Sequence, residues 1–221
     1  MSVETPSTGS SGTGSALIAG VTGNSGCGQT SLAGLLEQRG AAVFSLDAVG
    51  HRLLDKRYVR RDLARILDDD RVISAPPGEL RKRLGGEAFS DETGLAAAER
   101  VTHQRMVRWA RLMVRVWRGS GGVVLLEGAL LYELGIAELM DFVIVVRSDL
   151  TSAARRLYIR DRVPERITAA RWARQMPIGR KDGVADLVIY NDSGRDALES
   201  AADIVWDRLL RVAAGQASDC S

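Results

Sequence analysis

The sequence predicts an α/β fold, a parallel sheet of five strands with helices on both faces. Three observations predict it. Short apolar runs recur along the chain and alternate with segments of helical periodicity. The runs are apolar throughout, as strands covered on both faces are. The first of them feeds a glycine-rich turn that opens a helix, Gly23-Asn24-Ser25-Gly26-Cys27-Gly28.

Residues 1–15 are rich in Ser, Thr and Gly without apolar period, and read as a disordered leader. Ala16 to Val21 is the first strand. Thr30 to Gln38 has helical spacing through Leu32, Leu35 and Leu36, and Gly40 stops it. Ala42 to Leu46 is the second strand, with Asp47 at its end. From about Ala48 to Arg118 the pattern is mostly helical, broken between Ile73 and Gly78 by Pro76 and Pro77. Between Glu99 and Arg118 the apolar residues Val101, Met106, Trp109, Met113 and Trp117 follow a helical period and read as packing. Val123 to Leu126, Phe142 to Val146 and Leu187 to Tyr190 are the remaining strands. An arginine-rich helical segment separates the last two, and a final helix covers Arg195 to Ala213.

A chain of 221 residues can bury one sizeable core with a smaller inserted subdomain. It has no apolar run of membrane-spanning length and no signal-peptide pattern, so no membrane partner is expected. Two cysteines, Cys27 in the loop and Cys220 in the tail, make a disulfide framework improbable and fit a cytoplasmic location. A net charge of +2 argues against a nucleic-acid binder. Lysines occur only as Lys56, Lys82 and Lys181, so the positive charge is nearly all arginine. Arginine's planar fork suits phosphate, although an arginine-rich codon preference gives the same composition.

Gly23 to Thr30 has the spacing G-x-x-x-x-G-K-[ST], with Gln29 in the lysine position. The glycines let successive N–H groups turn inward on a phosphate, and the helix that follows adds its positive end. Gly23, Asn24, Ser25, Gly26, Cys27, Gly28, Gln29, Thr30 and Ser31 are therefore candidate nucleotide ligands, and the Thr30 hydroxyl a candidate Mg²⁺ ligand. A lysine charge about 4 Å from a phosphate contributes roughly 4 kcal/mol at an effective dielectric near 20. Gln29 supplies a hydrogen bond and no charge. Lys181, Arg156, Arg160 and Arg180 are the cations that could replace it. Glu127, after the third apolar run, could hold Mg²⁺ through water. Cys27 reads as a small filler unless it is exposed and deprotonated.

Further segments carry a resemblance. After the loop come Ser45-Leu46-Asp47, Arg81-Lys82-Arg83-Leu84 with Phe89, His103-Gln104, and Ala129-Leu130-Leu131-Tyr132-Glu133. Then follow Arg156 and Arg160 one helical turn apart, Gln175, Lys181, Ala185-Asp186, and Asn191 with Gly194. In order and spacing the chain from about Ala16 to Ala213 resembles the dephospho-coenzyme A kinase family. It departs from the family pattern at Gln29 (for lysine), Ser45 (for an acid), Gln104 and Ala129 (each for proline).

The resemblance implies a three-layer α/β/α P-loop NTPase fold with a helical acceptor-binding subdomain and an arginine-rich lid. It divides the chain into a core of residues 16–54, 120–154 and 185–213, a subdomain of about 55–119, a lid of about 155–184 and a tail of 214–221. It implies transfer of the ATP γ-phosphoryl group, with Mg²⁺, to the ribose 3′-hydroxyl of dephospho-coenzyme A. Asp47 would be the base. Arg156, Arg160 and Lys181 would serve the transferring phosphate, Asn191 the adenine, and Arg81, His103, Leu130 and Asp47 the acceptor. A nucleotide-binding relative of low activity, and a kinase for another small acceptor, remain alternatives that this pattern also fits.

Overall fold

The computed structural model describes residues 15–76, 79–80 and 92–215. Five parallel strands form one sheet in the order β2-β3-β1-β4-β5. They are β1 (Leu17–Thr22), β2 (Ala42–Ser45), β3 (Val123–Glu127), β4 (Phe142–Arg147) and β5 (Leu187–Tyr190). The three central strands are buried almost throughout, whereas the shorter edge strands β2 and β5 are half-exposed. The unbroken apolar runs thus mark the sheet centre, where helices cover both faces. β2 ends at Ser45 and Leu46 already begins a helix. Two aspartates finish the ladder at strand starts: Asp141 accepts from Ile18 N–H at 2.9 Å, and Asp186 from Val143 N–H at 2.7 Å. Each satisfies a backbone donor that its own strand pairing leaves open.

The parallel arrangement brings every strand's C-terminal end to one edge. In β1, β2 and β3 the ends are level, with Val21 and Ser45 both in register with Glu127. Ligands of open α/β sheets bind along that edge. α1 (Gln29–Gln38) and α9 (Arg195–Ala213) cover one face of the sheet. Leu32 and Leu36 of α1, and Leu198, Ala202, Val205 and Leu209 of α9, meet Val21, Leu125, Ile144 and Val146 in one core. Their spacing of three to four residues is the helical apolar stripe. Trp117, fully buried, stacks on Phe44 with ring centroids 4.4 Å apart.

Leu46–Ala110 forms a second compact unit. It holds α2 (Leu46–Leu54), α3 (Arg57–Leu67), the short α4 (Arg71–Ser74) and most of α5 (Glu92–Trp117). α5 starts seven residues earlier than the periodic segment suggested. Ala96, Ala97 and Ala98 extend it, because alanine propagates a helix at no entropic cost while being too small to mark the apolar period. Inside this unit the buried Arg60 guanidinium donates to Leu54 O at 3.1 Å and to Ala75 O, and pairs with Asp55. Arg81 and Phe89 lie outside the described residues, as do residues 1–14, Cys220 and the end of the tail.

Three helices connect β4 to β5: α6 (Leu150–Asp161), α7 (Glu165–Arg174) and α8 (Ile178–Asp182). Asp149 caps α6, accepting from Ser152 N–H at 2.8 Å. Arg162, in left-handed backbone at φ 57°, ends it, and Pro164 starts the next helix.

Candidate active site

The glycine loop leaves the end of β1 and enters α1 without a side-chain cap. Gly28 holds the cap position at φ 106°, a conformation that disfavours any side chain. A Cβ there would also strike Asn191 Nδ2, and one at Gly26 would come 2.7 Å from Ala153 O. The glycines of the loop thus pack directly on neighbouring chain. Gln29 is the first residue of α1 and is buried.

At the mouth of the loop, Thr30 Oγ1 donates to Glu127 Oε1 at 2.7 Å. Thr30 is exposed, while Glu127 at the end of β3 is only 3% exposed. A hydroxyl and a carboxylate that converge beside a phosphate loop fit Mg²⁺, a hard cation that keeps several waters and takes few protein oxygens. Among the described residues there is no cluster of three or more His, Cys, Asp or Glu that could hold a metal.

Arg156 and Asn191 both border the cavity beside the loop, and both also bond to the loop itself. The Arg156 guanidinium donates to Gly26 O at 3.2 Å, to Ser148 Oγ at 3.0 Å and to Asn191 O. Asn191 Nδ2 donates to Cys27 O at 2.8 Å. Both side chains hold carbonyls of the loop. Ser25 is held from a third direction. Its N–H donates to Gln175 Oε1 at 3.0 Å, its Oγ meets Gln175 Nε2 at 3.2 Å, and its carbonyl accepts from Trp172 Nε1 at 2.8 Å.

Lys181 is enclosed in the protein, which the sequence pattern did not indicate. It is fully buried, donating to Ala129 O at 2.8 Å and pairing with Glu133 at 3.0 Å. Burial pushes its ammonium pKa down and Glu133 opposes that shift. The charge is enclosed and matched by Glu133 in this arrangement. Arg160 keeps an exposed head that Asp161 holds at 2.7 Å, and its positive charge interacts with Glu127. Cys27 is buried, and burial raises its thiol to about 11, so it is protonated at neutral pH and fills space.

A cavity of about 430 Å³ opens between α1 and α9, bordered by Thr30, Ser31, Leu35, Asn191, Gly194 and Leu198. Its mixed apolar and polar lining suits a flat heterocycle adjoining the loop. Asp47 is exposed in the first turn of α2, two residues beyond the end of β2. His103 lies half-buried on α5, and Leu130 half-buried just beyond β3. Sequence reasoning gave no role to Trp172. The available signal was an indole on an arginine-rich helix, since a sheltered indole N–H needs an acceptor.

A family model described as dephospho-CoA kinase matches residues 17–197. A dephospho-CoA kinase of Chlorobium luteolum is 30% identical over 212 residues, 92% of this chain and 94% of that one. One from Thermobifida fusca is 32% identical over 180 residues, covering 80% and 88% of the two chains. A crystal structure from Thermus thermophilus superposes with a TM-score of 0.67 at 30% identity, covering 87% of this chain and 97% of that one. A dephospho-CoA kinase from Campylobacter jejuni shares the fold at a TM-score of 0.55 and 20% identity, covering 87% and 96%.

Proposed function

The chain belongs to the dephospho-CoA kinase family, and from that premise we propose how its residues carry the γ-phosphoryl group of ATP to the ribose 3′-hydroxyl of dephospho-coenzyme A. The observation that carries the reading is the Thr30–Glu127 hydrogen bond at the mouth of the glycine loop. It joins the hydroxyl of the phosphate-binding helix to a buried carboxylate one strand away.

The loop amides beyond Ser25 and the N-terminal end of α1 bind the phosphates. Thr30 would hold Mg²⁺, with Glu127 contributing through water. When bound, the ion supplies positive charge to the phosphate oxygens. The cavity between α1 and α9 takes the adenine. Asp47 accepts the proton of the attacking hydroxyl, and His103 and Leu130 contribute to the acceptor's side. Arg81 is assigned there by its place in the motif alone.

With Lys181 neutralised by Glu133, the cation that stands in for the missing loop lysine is Arg160. Its charge already interacts with Glu127, and its guanidinium needs only to release an exposed aspartate to turn toward a phosphate. An exposed ion pair of this kind is worth less than about 1 kcal/mol, a small barrier to such a swing.

A coupled assay with ATP, Mg²⁺ and dephospho-coenzyme A tests the reading. Turnover should fall about a hundredfold in Glu127→Gln, with a raised Mg²⁺ requirement, and in Arg160→Met, with partial recovery in Arg160→Lys. A parent enzyme that binds ATP yet leaves dephospho-coenzyme A untouched would overturn the acceptor. An unchanged Mg²⁺ dependence in Glu127→Gln would overturn the metal assignment.

A further inference from the structure

The glycine loop is held in shape by side chains that do not belong to it. Gln175 and Trp172 occupy the N–H, the carbonyl and the hydroxyl of Ser25 together. Arg156 and Asn191 take the next two carbonyls, those of Gly26 and Cys27. The loop's own sequence cannot do this. It is rich in glycine, and Gln29 brings no charge to draw the turn around an anion.

The brace has a fixed foot. Met176, next to Gln175, donates its N–H to Glu133 Oε1 at 2.7 Å. The same oxygen takes the buried Lys181 ammonium at 3.0 Å, and that ammonium also donates to Ala129 O at 2.8 Å. Glu133 follows β3, so the chain on either side of Met176 is tied to the body of the sheet. Gln175 consequently reaches Ser25 from an anchored backbone.

We propose that Gln175 and Trp172 are positioning residues for the nucleotide, which hold the tip of the phosphate loop in its binding shape through Ser25, with the Glu133–Lys181 pair as their anchor. The proposal rests on the reading of the loop as the nucleotide site and goes beyond it. A loop ordered beforehand loses less conformational entropy when a phosphate arrives, and here the ordering comes from outside the motif. These residues act on nucleotide affinity and leave acceptor affinity alone, because Ser25 belongs to the loop.

The test measures ADP and ATP binding in Mg²⁺ by calorimetry, beside dephospho-coenzyme A binding and turnover, for the parent, Gln175→Ala and Trp172→Phe. Gln175→Ala should weaken ADP about tenfold and raise the KM for ATP alike, because two hydrogen bonds to the loop are lost. Trp172→Phe keeps an aromatic ring, though a smaller one, and loses the indole N–H bond, and should weaken ADP roughly threefold to fivefold. In both variants kcat at saturating ATP and the affinity for dephospho-coenzyme A should stay within about twofold of the parent. The double variant Glu133→Leu with Lys181→Met, which removes the acceptor of the Met176 N–H and leaves no unpaired buried charge, should match Gln175→Ala in ADP affinity.

Folded Gln175→Ala and Trp172→Phe proteins that bind ADP within about twofold of the parent would overturn the proposal, and so would equal losses for nucleotide and acceptor. If Gln175→Ala does not fold, Trp172→Phe decides by the same criterion. A parent that binds ADP but phosphorylates another acceptor would refute the acceptor assignment, and the ADP measurements would still decide the brace.

Discussion

At the scale of single residues, Gln29 and Asp47 carry the sharpest expectations. Gln29 is buried at the start of α1, where the helix end is already positive. Gln29→Lys puts a second positive element there. Its Coulomb attraction for the phosphates has a ceiling near 4 kcal/mol, so turnover should rise by roughly a hundredfold. Without nucleotide the same charge is unmatched. The variant should therefore melt at a lower temperature than the parent when free and gain more from ADP, which thermal scans with and without ADP will read. Asp47→Asn keeps the size of the side chain and removes the base. It should lower kcat by about 10²- to 10⁴-fold with little change in either KM. A fully active Asp47→Asn enzyme would strike Asp47 from the mechanism.

Among the elements, the passage from β1 through the loop into α1 is the least tolerant of change. Gly28 has left-handed backbone and sits against Asn191, whose amide must stay in place to reach Cys27 O. Gly28→Ala adds strain and displaces that amide together. It should destabilise the fold by about 2–3 kcal/mol in urea melts and abolish measurable ADP binding. Trp117, the last residue of α5, stacks on Phe44 of β2. Trp117→Ala should cost about 3–5 kcal/mol, through a cavity that the neighbours cannot fill.

For the molecule as a whole, alkaline stability reports the buried weak acids. Burial raises the Cys27 thiol from 9.0 to about 11. Burial first, and then the Asp186 charge, raise the Tyr132 phenol from 10.0 to about 12. In both cases the unfolded chain releases its proton before the folded one does. The stabilisation is complete below pH 9 and is lost as pH climbs toward 12. Urea midpoints should fall over that range, and Cys27→Ala should remove the loss that begins near pH 9.

The strands, the closing helix and the glycine loop were legible in the sequence because each is a local matter. Periodicity reports which face is buried, and a glycine spacing reports which turn is possible. The start of α5 was less legible, since its alanines carry helix propensity without a hydrophobic signal. The side chains around the site followed another rule. Arg156 meets the loop from 130 residues away and Gln175 from 150. Lys181 and Arg160 look equally available in the sequence, yet one is enclosed with Glu133 and the other is exposed. By itself, then, the sequence determined the layered sheet, the phosphate-binding turn and the family. Only the tertiary structure decided which cation is enclosed in the protein and which is exposed, because burial and pairing depend on contacts between distant segments that no local pattern encodes.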